Sequence, residues 1–261
     1  MGSDKDEVKK SLAQAVDDYK TLGGWKGLKS GEWLWILIQK SFRAYWKNAN
    51  VEYFEKKYGT QDKDKIAQKL ISVAARNAMI LGGLTGATVS ADEIAAIVTA
   101  GEAGLGLPAN IAIAAAAMGG EAILLVRFQL QLIANLAKLY DVPLDPEDPE
   151  DILTILAFAL GGAVAEEAGR FGMKIGGRLA GRAAKKIFKK EVLAFLKKIA
   201  AKVGINFLQK SIIKYTIPIA SIGIGGAWNY YATKGAAAVA LKHFKGRGIG
   251  KPDDPTVAEV A

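Results

Sequence analysis

Six cations recur at intervals of four in the stretch AGRFGMKIGGRLAGRAAKKIFKK: Arg170, Lys174, Arg178, Arg182, Lys186 and Lys190. Residues four apart are neighbours on a helix, so the spacing predicts a slowly winding cationic stripe, which Lys185 and Lys189 widen. From 168 to 202 there are eleven bases and one acid, Glu191, a net of +10 in a chain whose total is +9. All the excess positive charge is therefore in one segment, and the remainder is about neutral. Like charges at this spacing repel by roughly 0.2–0.5 kcal/mol per pair, a cost that an anionic partner would offset. The chemistry on offer is anion binding. Anionic membrane lipid is the preferred partner, at about 1 kcal/mol per surface cation. Nucleic-acid phosphate is the rival, and a plain solvated face balanced by Glu166 and Glu167 is the ordinary alternative.

Other chemistry is sparse. The chain has one His and no Cys, which excludes disulfides, thiolate catalysis and thiolate or His-rich metal sites. No GxxxxGK[ST], HExxH or GxSxG occurs. GEAGLGLPAN contains GxxGxG, but no strand precedes it. No catalytic residue, metal site or cofactor is expected. The run Asp141 to Asp151, DVPLDPEDPED, holds six acids and three prolines. It lacks the ligand spacing of a calcium loop, so helix capping by Asp148 or Asp151 is its expected role. His243 is expected to face the C-terminal dipole of the last helix, and Glu121 to pair with Arg127 or another buried cation. The phenylalanines near the basic stripe, Phe171, Phe188 and Phe195, have helical spacing and suit a core better than base stacking.

The elements that position these groups are helical throughout. Helices are expected over about 4–19, 31–47, 51–57, 62–81, 108–140, 149–168 and 168–203, with another short one after Ser90 and a last one from Pro218 to about His243. Thr21 to Ser30 is expected to be a loop, and Gly119 with Gly120 to bend the long helix. The fold class is all-α: a single compact multi-helix domain of about eight to ten helices with Ala/Gly-rich packing. Residues 1–30 form an N-terminal helix and Gly-rich loop, 31–245 the helical domain with the acidic loop as internal boundary, and 246–261 a flexible tail.

Two features point to a membrane. GEWLWILIQKSFRAYWK sets Trp33, Trp35 and Trp46 beside Lys40 and Arg43, a composition suited to the water–lipid boundary, with core docking as the alternative. The uncharged windows 103–120 and 215–233 have nearly the length of a spanning helix but are diluted by Ala, Gly and polar residues. Residues 1–20 are charged and carry no apolar leader, which favours the cytoplasm.

Two stretches, LPANIAIAAAAMGGEAILLVRFQLQLIANLAKLYDVPLDPEDPEDILTIL and IPIASIGIGGAWNYYATKGAAAVALKHF, resemble the bacterial EcsC family. The matching positions are Pro108, Arg127, Tyr140, Asp145, Asp148, Pro218, Gly225 and Asn229, within roughly residues 30–245. Asn110 and Asp141 depart from it, where an Asp and a Gly are usual. The resemblance implies a bacterial, all-α, membrane-associated protein, in a family named for its association with a transporter operon, and supplies no reaction. The combined expectation is a non-enzymatic peripheral protein at the inner face of the cell membrane, accessory to a transporter or to lipid organisation. The alternatives are a soluble helical enzyme or apolar-ligand carrier, and a nucleic-acid binder.

Overall fold

A computed structural model describes residues 4–86, 109–146 and 221–249, with positions 148, 151, 154, 155, 158, 159, 194, 195 and 198. Among the described residues the regular structure is entirely helical, in seven helices. The helices expected after Ser90 and across the basic stripe lie outside the described residues, and that expected over 149–168 largely so.

The first helix, α1, spans Asp4–Thr21, with Asp4, Asp6 and Glu7 in its first turn and Lys20 in its last, the arrangement the helix dipole favours. The expected loop at 21–30 is instead mostly a short helix, α2, over Gly24–Ser30. It fits there because the flanking Gly23 (φ 90°) and Gly31 (φ 76°) take left-handed conformations that let the chain turn sharply on both sides. The aromatic helix α3 runs on through Glu32–Leu37, a π-helical segment Ile38–Phe42 and Arg43–Asn48. The fourth helix, α4, covers Val51–Tyr58. The Asn50 side chain accepts the Tyr53 N–H at 3.0 Å at its start, and Gly59 closes it at φ 65°.

Helix α5, Lys63–Gly86, starts where the Asp62 carboxylate accepts the N–H groups of Asp64 and Lys65. It continues past Gly82 to Gly86, further than expected, because Gly82, Thr85 and Gly86 are buried against other helices. Helix α6, Ala109–Leu139, ends as expected at Tyr140. There the Val142 N–H returns to the Ala137 carbonyl at 2.8 Å around Asp141 at φ 58°, a Schellman stop with buried Val142 as its apolar contact. Asp tolerates the left-handed conformation better than most residues, so it can stand where glycine is usual. The last helix, α7, spans Ser221–Ile249 and runs six residues beyond His243.

Helix α6 lies at the centre. It packs against α1, α5, α7 and α3, while α7 lies along α5. One apolar core joins them: Ala15 and Tyr19 of α1, Leu34 and Phe42 of α3, Leu81 of α5, Ile123 and Leu130 of α6, Ala240 and Phe244 of α7. Each fully buried Phe or Leu there contributes about 1.5–3 kcal/mol. Gly119 and Gly120 are contact sites. A Cβ on Gly119 would fall 2.1 Å from the Tyr19 ring and one on Gly120 2.6 Å from Val16, so these glycines let α1 press onto α6. Gly226 likewise seats α7 on α5, where a Cβ would meet the Met79 carbonyl at 2.9 Å. Among the described residues one stretch, Ala112–Leu139, is long and apolar enough to cross a membrane, and 67% of its most apolar window is buried inside the protein.

Candidate functional site

The most concentrated polar chemistry lies between α5, α6 and α7. Glu121 is fully buried in the middle of α6. The Thr85 hydroxyl donates to its Oε2 at 2.7 Å, and the Asn229 amide donates to its Oε1 at 2.8 Å. Thr85 is fully buried and Asn229 nearly so. Three helices thus meet on one carboxylate, whose two oxygens each receive a neutral donor. Losing one partner of a buried hydrogen bond costs more than the bond itself contributes, because the remaining group stays out of water. Thr233, one turn beyond Asn229 on the same face of α7, is also fully buried, and its hydroxyl has no hydrogen-bond partner among the described residues.

Two further ties hold the helices at other levels. Arg127 reaches Asp18 of α1 at 2.7 Å. At the far end of α6 the Tyr140 hydroxyl donates to Asp64 of α5 at 2.5 Å, and Lys245 of α7 reaches the other Asp64 oxygen at 2.6 Å. These two donors hold the Asp64 carboxyl below its ordinary range. Burial, followed by the bond to Asp64, pushes the Tyr140 hydroxyl well above the usual tyrosine value. Burial alone pushes Tyr19 up to about 12. Arg127, Tyr140 and Asn229, three positions of the resemblance, therefore each tie α6 to another element. Of the expected partners of Glu121, Arg127 is engaged with Asp18 instead, while Thr85 and Asn229 reach the Glu121 carboxylate.

The aromatic segment divides between inside and outside. Trp33 is 2% exposed, and its indole N–H donates to the Leu28 carbonyl at 2.9 Å, which takes it out of any surface site. Trp35 is half-buried against the core. Trp46 stacks on Phe42 at 6.1 Å, with the Lys138 ammonium 4.3 Å from its ring centre. Lys40 and Arg43 are exposed. Arg43, Trp46, Leu144, Asp145 and Pro146 line an open cleft of about 300 Å³, whose loop wall is pinned by the Gln39 amide donating to the Pro146 carbonyl at 2.5 Å. The Asp148 side chain accepts the Asp151 N–H at 3.4 Å and the Asp151 side chain accepts the Asp145 N–H at 2.8 Å, while the helix they are expected to cap lies largely outside the described residues. His243 is half-buried beside Phe158, 5.0 Å between ring centres, and is not at a helix end.

The cationic residues Arg170, Lys174, Arg178, Arg182, Lys185, Lys186, Lys189 and Lys190 lie outside the described residues. No cluster of three or more His, Asp or Glu suited to a metal occurs among the described residues. Two features were missed from sequence. One is Thr85 as a partner of Glu121, which sits 36 residues away on another helix. The other is an exposed aromatic strip on α7 that includes Trp228 and Tyr231. Its only signal in the sequence is a 29-residue helix that contains no acid. Comparison with protein-family models, curated proteins and solved structures finds no match.

Proposed function

We propose that this chain is a non-enzymatic helical protein that associates peripherally with membranes and binds anionic lipid through its basic segment. In this reading it acts at the inner face of a bacterial cell membrane, as an accessory to a transporter or to lipid organisation, in keeping with its likeness to the EcsC pattern. One observation carries the reading: residues 168–202 hold a net +10 while the whole chain carries +9. A charge so segregated from an otherwise neutral molecule suits an anionic plane better than it suits isolated counter-ions. The exposed Lys40 and Arg43 add cations on α3, with Trp35 and Trp46 half-buried beside them and Trp33 serving the core.

Cosedimentation with vesicles tests this. Binding is expected to vesicles containing phosphatidylglycerol and not to pure phosphatidylcholine, and to weaken as salt shortens the Debye length. The triple substitution Arg178→Gln, Arg182→Gln, Lys186→Gln keeps helix propensity and should remove about 3 kcal/mol of membrane affinity at about 1 kcal/mol per cation. Equal binding to neutral and anionic vesicles would sink the reading. Binding to duplex DNA without any binding to vesicles would replace it with the nucleic-acid alternative.

A further inference from the structure

We infer that the outer face of α7 is the surface that enters the lipid interface. The inference rests on the membrane reading above and specifies where on the fold contact is made. Trp228, Tyr231, Gly235, Val239 and Lys242 are all exposed, at 52% for Trp228, 71% for Tyr231 and 46% for Val239. At about 100° per residue they fall within one narrow stripe of the helix, running about 21 Å at 1.5 Å per residue. Asn229, Thr233, Ala237, Ala240 and Phe244 occupy the opposite face and are buried. Helix α7 thus carries Trp228, Tyr231 and Val239 on a face that is exposed among the described residues, with Lys242 beside them.

The charge of the helix decides what covers the open face. Its 29 residues contain Lys234, Lys242, Lys245 and Arg247 and no acid. Lys245 is engaged with Asp64, while Lys234 and Lys242 are exposed along the edge of the strip. The Lys234 ammonium lies 5.3 Å from the Tyr230 ring, which holds the cation beside the aromatics. Exposed Trp and Tyr with flanking cations is the composition of a segment lying in the headgroup region, rings at the boundary and ammonium groups on the phosphates. Pressing this face into the interface does not require the core to open, because the buried face keeps Asn229 on Glu121.

The test uses the full-length chain with vesicles of phosphatidylcholine and phosphatidylglycerol carrying brominated acyl chains. Tryptophan emission should be quenched on binding, and Trp228→Phe should lose most of the quenching while still cosedimenting. A second variant, Tyr231→Glu with Val239→Glu, puts two acids on exposed positions. It should keep the parent's circular dichroism and melting temperature yet bind anionic vesicles at least tenfold more weakly. If the parent binds while both variants behave as the parent does, the face assignment is wrong and the membrane reading stands. If the parent binds no vesicle, both fall. A parent that is dimeric where the Glu variant is monomeric would show the strip to be an interface between copies and overturn the assignment to lipid.

Discussion

Glu121 lies at zero exposure, and among the described residues two neutral donors, from helices before and after its own, reach its two oxygens. Asn229→Ala removes one donor from the buried Glu121 side chain, and should cost about 2 kcal/mol in urea unfolding. Glu121→Ala takes the acceptor from the Asn229 amide and opens a cavity, while the Thr85 hydroxyl keeps the Leu81 carbonyl at 3.1 Å; the substitution should cost about 3 kcal/mol. In a double-mutant cycle the two losses should be non-additive by at least about 0.5 kcal/mol, since the residues touch. Additive losses would mean that the contact contributes nothing. Alkaline behaviour gives a second residue-scale prediction. Tyr19 is raised from 10.0 to about 12 by burial, so its neutral form is favoured in the folded protein. That contribution is fully present below about pH 10 and disappears as pH climbs from about 10 to about 12. The melting temperature should therefore fall across that window, and less steeply in Tyr19→Phe. Asp64 has the opposite sign: its carboxyl is lowered, so its contribution is present above the ordinary carboxylate range, near 3.9, and is lost as pH drops further. At this scale Asn229 could be picked from the sequence, but its partner could not. Glu121 and Arg127 look adjacent in the chain, yet six residues of helix turn them through about 600°, onto different faces.

The same limit operates on whole elements. That Gly119 and Gly120 do something within α6 is visible from their type. Whether they bend the helix or admit a neighbour depends on α1, a hundred residues earlier, and the ring of Tyr19 decides it. The two roles make opposite predictions. If the glycines merely loosened the helix, Gly119→Ala would stabilise the protein by about 1 kcal/mol through propensity. Because a Cβ would sit 2.1 Å from the Tyr19 ring, the substitution should instead destabilise by about 1–3 kcal/mol. Gly235 is the control: it lies within α7 with nothing near its missing Cβ, and Gly235→Ala should gain up to about 1 kcal/mol. Thermal melts of the two variants moving in the same direction would contradict this assignment. The start of α5 was legible, because Asp62 acts through bonds to N–H groups only two or three positions away. The short helix α2 was hidden for a related reason. A glycine-rich run signals a turn, and nothing local shows that Leu28 will be buried and hold a helical turn in place.

At the scale of the whole molecule, charge position matters more than charge number. At about 0.1 M salt the Debye length is about 10 Å, so cations spread over the surface do not act together, whereas a contiguous stripe does. Net charge, composition and the all-helical class were all legible in the sequence. The outward aromatic strip of α7 was not, because which face of an apolar helix stays open depends on how α5 and α6 cover the other. The distinction between position and number can be measured. Removing three cations from the stripe, Arg178, Arg182 and Lys186, and removing three from the exposed side of α1, Lys5, Lys9 and Lys10, each lowers the net charge from +9 to +6. If overall charge governs attraction to an anionic bilayer, the two Gln-substituted proteins should lose affinity equally. If the stripe is the contact, the first should lose about 3 kcal/mol and the second less than about 1 kcal/mol, with the steeper salt dependence retained only by the second. Because both variants have the same formal charge and helix-compatible replacements, a difference between their vesicle-binding curves would come from location alone.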